Sequence, residues 1–291
     1  MELKFQYSLK TLIAIVLFAS SKADLVQNVS NFVEGPANGC DWFNGQWKFD
    51  PSYPLYESSS HPFIDPQFNC QKFGRPDNKY LSYSWKPKSC NLPRFDGAGF
   101  LRRWKVKKII FVGDSLSLNR WSSLACMLHA AVPKANTTFL RKGPITQVTF
   151  EDYHVIIFLY RTPYLVDIVQ EQVGRVLKLD LIQQGNAWRG MAMLISNTWH
   201  RWTHTGNVQP WDFVQYGSTI TKDMDVLVAF SKGLTTWDNW VEKNVDPSKI
   251  KVFCQGISPT HYMYVICHSI QIIYFYFSFF LCFYSHTRYS I

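Results

Sequence analysis

A chain of 291 residues has room for one medium-sized domain, or for a core domain with a smaller appendage. Apolar residues make up 47% of it, enough to build a substantial core. The formal charge of +9 suits an acidic partner, but the lysines and arginines are scattered rather than blocked, which argues against nucleic acid and leaves an anionic polysaccharide or a membrane surface.

The chain opens on MELKFQYSLK, which carries two lysines, followed by the apolar run TLIAIVLFA. SSKADL comes next, with Ser21 and Ala23 at the spacing a signal peptidase prefers. The run is shorter than the ~20 residues a spanning helix needs. Residues 1–23 therefore read as a cleaved signal peptide, with an uncleaved signal anchor as the alternative. Either reading places the rest of the chain in the secretory lumen. Asn28-Val-Ser30 and Asn136-Thr-Thr138 are glycosylation sequons, which fit that compartment.

Residues 24–100 are rich in Pro, Gly, Asn, Asp and aromatics and read as a loop-rich module braced by disulfides. Cys40, Cys70, Cys90 and Cys126 are the disulfide candidates, and spacing leaves their pairing open. No C-x-x-C pair occurs, so no zinc site is expected. CDWFNGQWKFD, residues 40–50, concentrates Trp42, Phe43, Trp47 and Phe49. These rings have two readings: the core of a small domain, or a platform for sugar rings.

From about residue 105 the pattern changes. Lys107–Val112 predicts a short buried strand, and Leu116–Ala130 a helix with Leu116, Trp121, Leu124, Ala125 and Leu128 able to share a face. Val155–Tyr160 predicts a second strand. Ile168–Leu181 predicts a helix, with Gly174 counting against it. Ala192–Ile195, Asp225–Phe230 and Ile250–Phe253 predict three further strands. Short apolar strands separated by helix-length segments point to an α/β fold with a mostly parallel sheet flanked by helices. Residues 263–291 depart from this pattern. Met263–Tyr284 is long enough to span a bilayer yet contains His268, Ser269, Gln271 and Ser278. It reads as a membrane anchor, as a buried helix, or as a segment translated from a retained intron.

The stretch IIFVGDSLSLNRW, residues 109–121, carries the chemistry. A strand that runs into Gly-Asp-Ser and then a helix sets Ser115 at the carboxyl edge of a sheet, where ligands bind in open α/β folds. Amides at the helix start stabilise negative charge on an acyl oxygen. Gly113 allows close approach to the backbone, and Asp114 sets the turn or caps the helix. The other reading is that Asp114 and Ser115 only cap the helix. A nucleophilic serine needs a base and an orienting acid. The histidines before the tail are His61, His129, His154, His200, His204 and His261, and none stands beside an acid in a convincing arrangement.

GDSLSLNRW, CDWFNGQWKFD and SNTWHRWTHTG, in that set, resemble the plant trichome birefringence-like family, over about Gly39 to Tyr262. The resemblance implies a Cys/Trp-rich N-terminal module beside a GDSL/SGNH-like esterase domain, and a Golgi or secreted protein. It implies transfer of acetyl groups to a wall polysaccharide such as xylan, or acetylester hydrolysis on pectin. Ser115 would be the nucleophile, with Gly113 and Asp114 shaping its turn and Asn197 as an oxyanion or substrate-orienting residue. Trp199, His200 and Trp202, with His204 nearby, match an aromatic loop and would contact substrate. Arg201 departs from the H-W-W usual there, and Cys254 stands where relatives carry a bulky apolar residue.

After Tyr262 the resemblance stops. The family's closing Asp-x-x-His motif, its acid and base, is absent from this sequence, and the C-terminal part of the domain with it. An impaired enzyme is therefore expected, with sheet edges left uncovered. No cofactor is expected, because acyl transfer through serine needs only an acetyl donor as co-substrate. Expected partners are a cell-wall polysaccharide and, through either apolar segment, a membrane. The alternative to an enzyme is a wall-polysaccharide binding protein that attracts pectin by charge.

Overall fold

The structure is a computed structural model that describes residues 44–57, 61–70, 72–203, 209–255 and 281–283. Expectations for residues 1–23, Asn28, Cys40, Trp42, Phe43 and His204, and for most of the tail, lie outside those residues. The chain divides into two compact units. In the first, β1 (Gly45–Phe49) pairs with β2 (Tyr83–Pro87). Trp47 and Trp85 meet edge to face across this ribbon, with ring centroids 5.4 Å apart. Cys90, in the same unit, is disulfide-bonded.

The second unit takes in residues 50–83 as well as everything from Arg94 onward. Its centre is a seven-stranded sheet. β3 (Lys108–Gly113), β4 (Thr137–Lys142), β5 (Ile145–Phe150), β6 (Val155–Arg161), β9 (Met193–Ser196), β12 (Lys251–Gln255) and β13 (Leu281–Phe283) lie in the order β13-β12-β9-β3-β6-β5-β4. The inner strands β12, β9, β3 and β6 are parallel, while β5, β4 and β13 run antiparallel to their neighbours. The α/β class stands, and the sheet is mixed, with its parallel part at the centre.

The continuous run Ile109–Val112 is what a strand covered on both faces requires. Ile109 and Phe111 face a core that includes Leu118, Trp121, Ala125 and Leu128 of α2 (Ser115–Ala131), with Phe63 and Phe68 in the same cluster. The short α1 (Gly97–Arg103) contributes Leu101 to it. Ile110 and Val112 point the other way, to Trp188 and to Trp237 and Val241 of α4 (Val226–Asn244). Helices therefore cover both faces, and the central strands share one carboxyl edge.

Two elements differ from the sequence reading. Residues 168–181 form a hairpin, β7 (Asp167–Glu171) and β8 (Gly174–Lys178), where a helix was expected. The β-branched residues alternate across the pair, with Val169 opposite Val176, and Gly174 takes φ +126° at the turn, a left-handed value glycine tolerates. The hairpin joins β10 (Phe213–Tyr216) and β11 (Thr219–Thr221) in a second sheet of order β11-β10-β8-β7. Residues 225–230, expected as a strand, open α4 instead. The Asp225 carboxylate accepts from the amides of Leu227 and Val228, both at 3.0 Å, so a helix cap begins where the apolar run begins.

Cys70 and Cys126 are free thiols, which removes two of the disulfide candidates. Cys126 lies on the buried side of α2, where burial pushes its thiol up to about 12. Cys70 sits beside the Tyr80 hydroxyl. Leu281–Phe283 pairs with the edge of β12, so part of the tail is strand. Among the described residues no helix is long and apolar enough to cross a membrane.

Candidate active site

Four parallel strands end on one edge at Gly113, Arg161, Ser196 and Gln255. The turn after β3 is fixed from several sides. The Thr162 amide donates to the Gly113 carbonyl at 3.0 Å, and the Asn197 amide to the Val112 carbonyl at 2.9 Å. The Ser117 hydroxyl donates to the same Val112 carbonyl at 3.2 Å. Gly113 adopts φ +152°, and a Cβ there would lie 2.4 Å from the Asn197 carbonyl oxygen and 2.6 Å from Ser117 Oγ. Only glycine fits.

Asp114 is the N-cap of α2, its Oδ1 accepting from the Leu116 amide at 2.8 Å. Ser115 follows as the first helical residue and is half-buried. That places its hydroxyl beside amides with no partner inside the helix, at the positive end of the helix dipole.

Asp114 is 3% exposed, and burial pushes its carboxyl up from the usual carboxylate range. The Leu116 amide and the positive charges of His200, Arg120 and Arg201 act in the opposite direction. Its Oδ2 has no hydrogen-bond partner among the described residues. Arg120 is 5% exposed; burial draws its guanidinium down to about 10, and Asp114 opposes that fall. Arg120 thus stays cationic at neutral pH. Its Nη1 donates to Gln255 Oε1 at 2.8 Å. Asp114 and Arg120 are the only buried charged side chains among the described residues, one capping and one within the helix that Ser115 opens. Burying such charges costs several kcal/mol unless they are compensated, so this cluster favours position over stability.

Asn197 is wholly buried, and its Nδ2 donates to the Gln255 carbonyl at 3.0 Å, joining the ends of β9 and β12. His200 and Trp199 are half-buried on α3 (Trp199–Thr203). His200 is near enough to Asp114 to favour its charged form. Trp199 packs edge to face on Phe230 at 4.8 Å. Trp202, expected on a sugar-binding surface, is 2% exposed, donates from Nε1 to Thr198 Oγ1 at 2.8 Å, and packs on Tyr164 at 5.2 Å. Its ring holds the loop from inside. Gly113, Asp114, Ser115, Asn197 and His200 are thus gathered at one edge, while no histidine hydrogen bonds to Ser115 among the described residues. The sequence reading missed Arg120, Tyr164 and Gln255. The one available signal was a cation inside a helix otherwise destined for the core.

A half-buried serine at the end of a central parallel strand, opening a helix, is consistent with an α/β fold of the GDSL/SGNH-like class. Residues 92–266 match the family described as GDSL/SGNH-like Acyl-Esterase family found in Pmr5 and Cas1p, and residues 38–91 match the PMR5 N terminal Domain. Protein trichome birefringence-like 38 of Arabidopsis thaliana is 54% identical over 257 residues, covering 84% of this chain and 68% of that protein. Trichome birefringence-like 39 of the same plant is 56% identical over 254 residues, covering 87% and 68%. Protein trichome birefringence itself is 38% identical over 255 residues, covering 82% and 42%. The chain belongs to the trichome birefringence-like family.

Proposed function

We propose that Ser115 carries an acetyl group from a donor to a hydroxyl of a plant cell-wall polysaccharide, xylan or a related polymer. The observation that supports this best is the half-buried hydroxyl of Ser115 at the first position of α2, on the carboxyl edge of β3. The serine oxygen attacks the acetyl carbonyl, its proton passes to a base, and the bond to the donor's leaving group breaks. A sugar hydroxyl then attacks the acetyl-serine, loses its proton, and frees Ser115. Water in place of the sugar gives acetylesterase activity. The α2 amides and the nearby cations favour the negative charge of both tetrahedral states.

The resemblance assigns the base to an Asp-x-x-His motif that this sequence does not contain. The chemistry needs a base to take the serine proton, a role that imidazole added in solution can fill in the test below. The sequence of residues 1–23 supports a secretory location, Golgi or cell wall, and the exposed Asn136 is available to a glycan there. Hydrolysis of p-nitrophenyl acetate, with mass analysis of acetylated Ser115, tests the reading. Imidazole is expected to accelerate the reaction, and Ser115→Ala to abolish both acetylation and rescue. Equal turnover in Ser115→Ala would remove the nucleophile from Ser115.

The charge of +9 favours a second reading, a non-catalytic pectin-binding protein. That reading expects binding to demethylated pectin that weakens with salt and is the same in Ser115→Ala.

A further inference from the structure

A cavity of about 380 Å³ opens at the end of β6, lined among others by Arg161, Thr162, Tyr164, Asp167, Gln183 and Gln184. Its size is at the small end of the ~300–1,000 Å³ range for ligand sites, suited to a single ring-sized unit. It adjoins the serine turn. Thr162, in its wall, donates its amide to the Gly113 carbonyl, and Tyr164 is close enough to Asp114 to feel its charge.

The polar groups in it are prepared. Asp167 Oδ2 accepts from the Gln183 amide at 2.6 Å, and Gln184 Nε2 donates to the Val166 carbonyl at 3.2 Å. Burial raises the Asp167 carboxyl above its ordinary range. The Arg161 side chain has no hydrogen bond or ion pair among the described residues, although it stands in a cavity with a carboxylate. The intervening backbone is strained: Leu165 takes φ +60° with its side chain fully buried. Such conformations persist where packing over-determines them, and they cluster at functional sites.

A guanidinium, a carboxylate, two carboxamides and two hydroxyls together offer donors and acceptors with no net charge. That set matches the adjacent hydroxyls of an uncharged sugar and gives a polyanion no net attraction. We propose that this cavity is the acceptor subsite, seating one neutral sugar unit of the polysaccharide beside Ser115, with Arg161 and Asp167 as the residues that select it. The acceptor role rests on the reading of Ser115 as acetyl carrier.

Equilibrium binding of xylohexaose and of an oligogalacturonate of equal length to the full chain tests it, since neither measurement needs turnover. Xylohexaose is expected to bind more tightly than the oligogalacturonate, and loss of either charged hydrogen-bonding group to weaken it by about tenfold or more. Asp167→Ala also removes the contact to Gln183, so thermal denaturation must accompany it. Arg161→Ala has no such contact to lose and carries the test alone if the other variant fails to fold. Xylohexaose binding that is absent in the unaltered chain, equal in Arg161→Ala, or weaker than that of the oligogalacturonate overturns the subsite. Labelling of Ser115 by a fluorophosphonate in the unaltered chain is read separately. A labelled serine with no sugar binding removes the subsite alone, and a serine left unlabelled even with imidazole present as the base removes the acceptor role.

Discussion

Replacing Gly113 by alanine puts one methyl group where the site has least room. The new Cβ would lie 2.4 Å from the Asn197 carbonyl oxygen and 2.6 Å from Ser117 Oγ. Neither neighbour can retreat freely. Asn197 is tied through its amide to Val112 and through Nδ2 to Gln255, and Ser117 is wholly buried with its hydroxyl on Val112. Overpacking of this kind costs about 1–3 kcal/mol, and a left-handed backbone adds about 1–2 kcal/mol for a residue with a Cβ. The sum is about 2–5 kcal/mol, which at roughly 2–4 °C per kcal/mol for a chain of this size lowers the Tm by about 4–20 °C. Thermal unfolding followed by circular dichroism reads the shift. Fluorophosphonate labelling of Ser115 reads the local consequence, and it is expected to slow because relief of the clash moves the turn that carries the serine. A Tm within about 2 °C of the parent, with labelling unchanged, would refute the argument that the turn is fixed by β9 and α2.

Two further outcomes follow from charge and burial elsewhere. Arg175 grips Asp212 through Nε at 3.1 Å and Nη2 at 2.8 Å, and holds its carboxyl at about 2 rather than the ordinary 3.8. A carboxyl held below its unfolded value contributes stability above that value and loses it as pH falls between 3.8 and about 2. NMR titration should show Asp212 returning to the ordinary range in Arg175→Met, and an unmoved titration would break the assigned pairing. Burial pushes the Cys126 thiol up to about 12, so a disulfide reagent at mildly alkaline pH should modify half-buried Cys70 first and Cys126 only on unfolding. Equal rates for the two thiols would contradict the buried face of α2.

The stretch from β3 into α2 was legible because every signal in it is local. Ile109–Val112 is apolar at consecutive positions, as burial on both faces demands, and Asp114 reaches its capping partner Leu116 two residues away. Residues 168–181 were not legible in the same way. Their β-branched side chains satisfy a helical spacing and a strand alternation almost equally, and pairing with β10 decides for the strand. The apolar run after Asp225 was too short to tell a buried strand from the start of a helix that continues to Asn244. Trp202 looked like a sugar-binding ring, and only the packing of Tyr164 and Thr198 around it turns it inward.

The sequence by itself determined the family and the place of Ser115 at a strand–helix junction. These depend on contacts within a few residues and on motifs written in order along the chain. The tertiary structure alone decided the partners of the buried polar side chains. Arg120 meets Gln255 across 135 positions of sequence, and Asn197 meets the same residue across 58. A buried polar atom takes whichever partner the fold brings to it, and no periodicity or local spacing encodes a partner that far away.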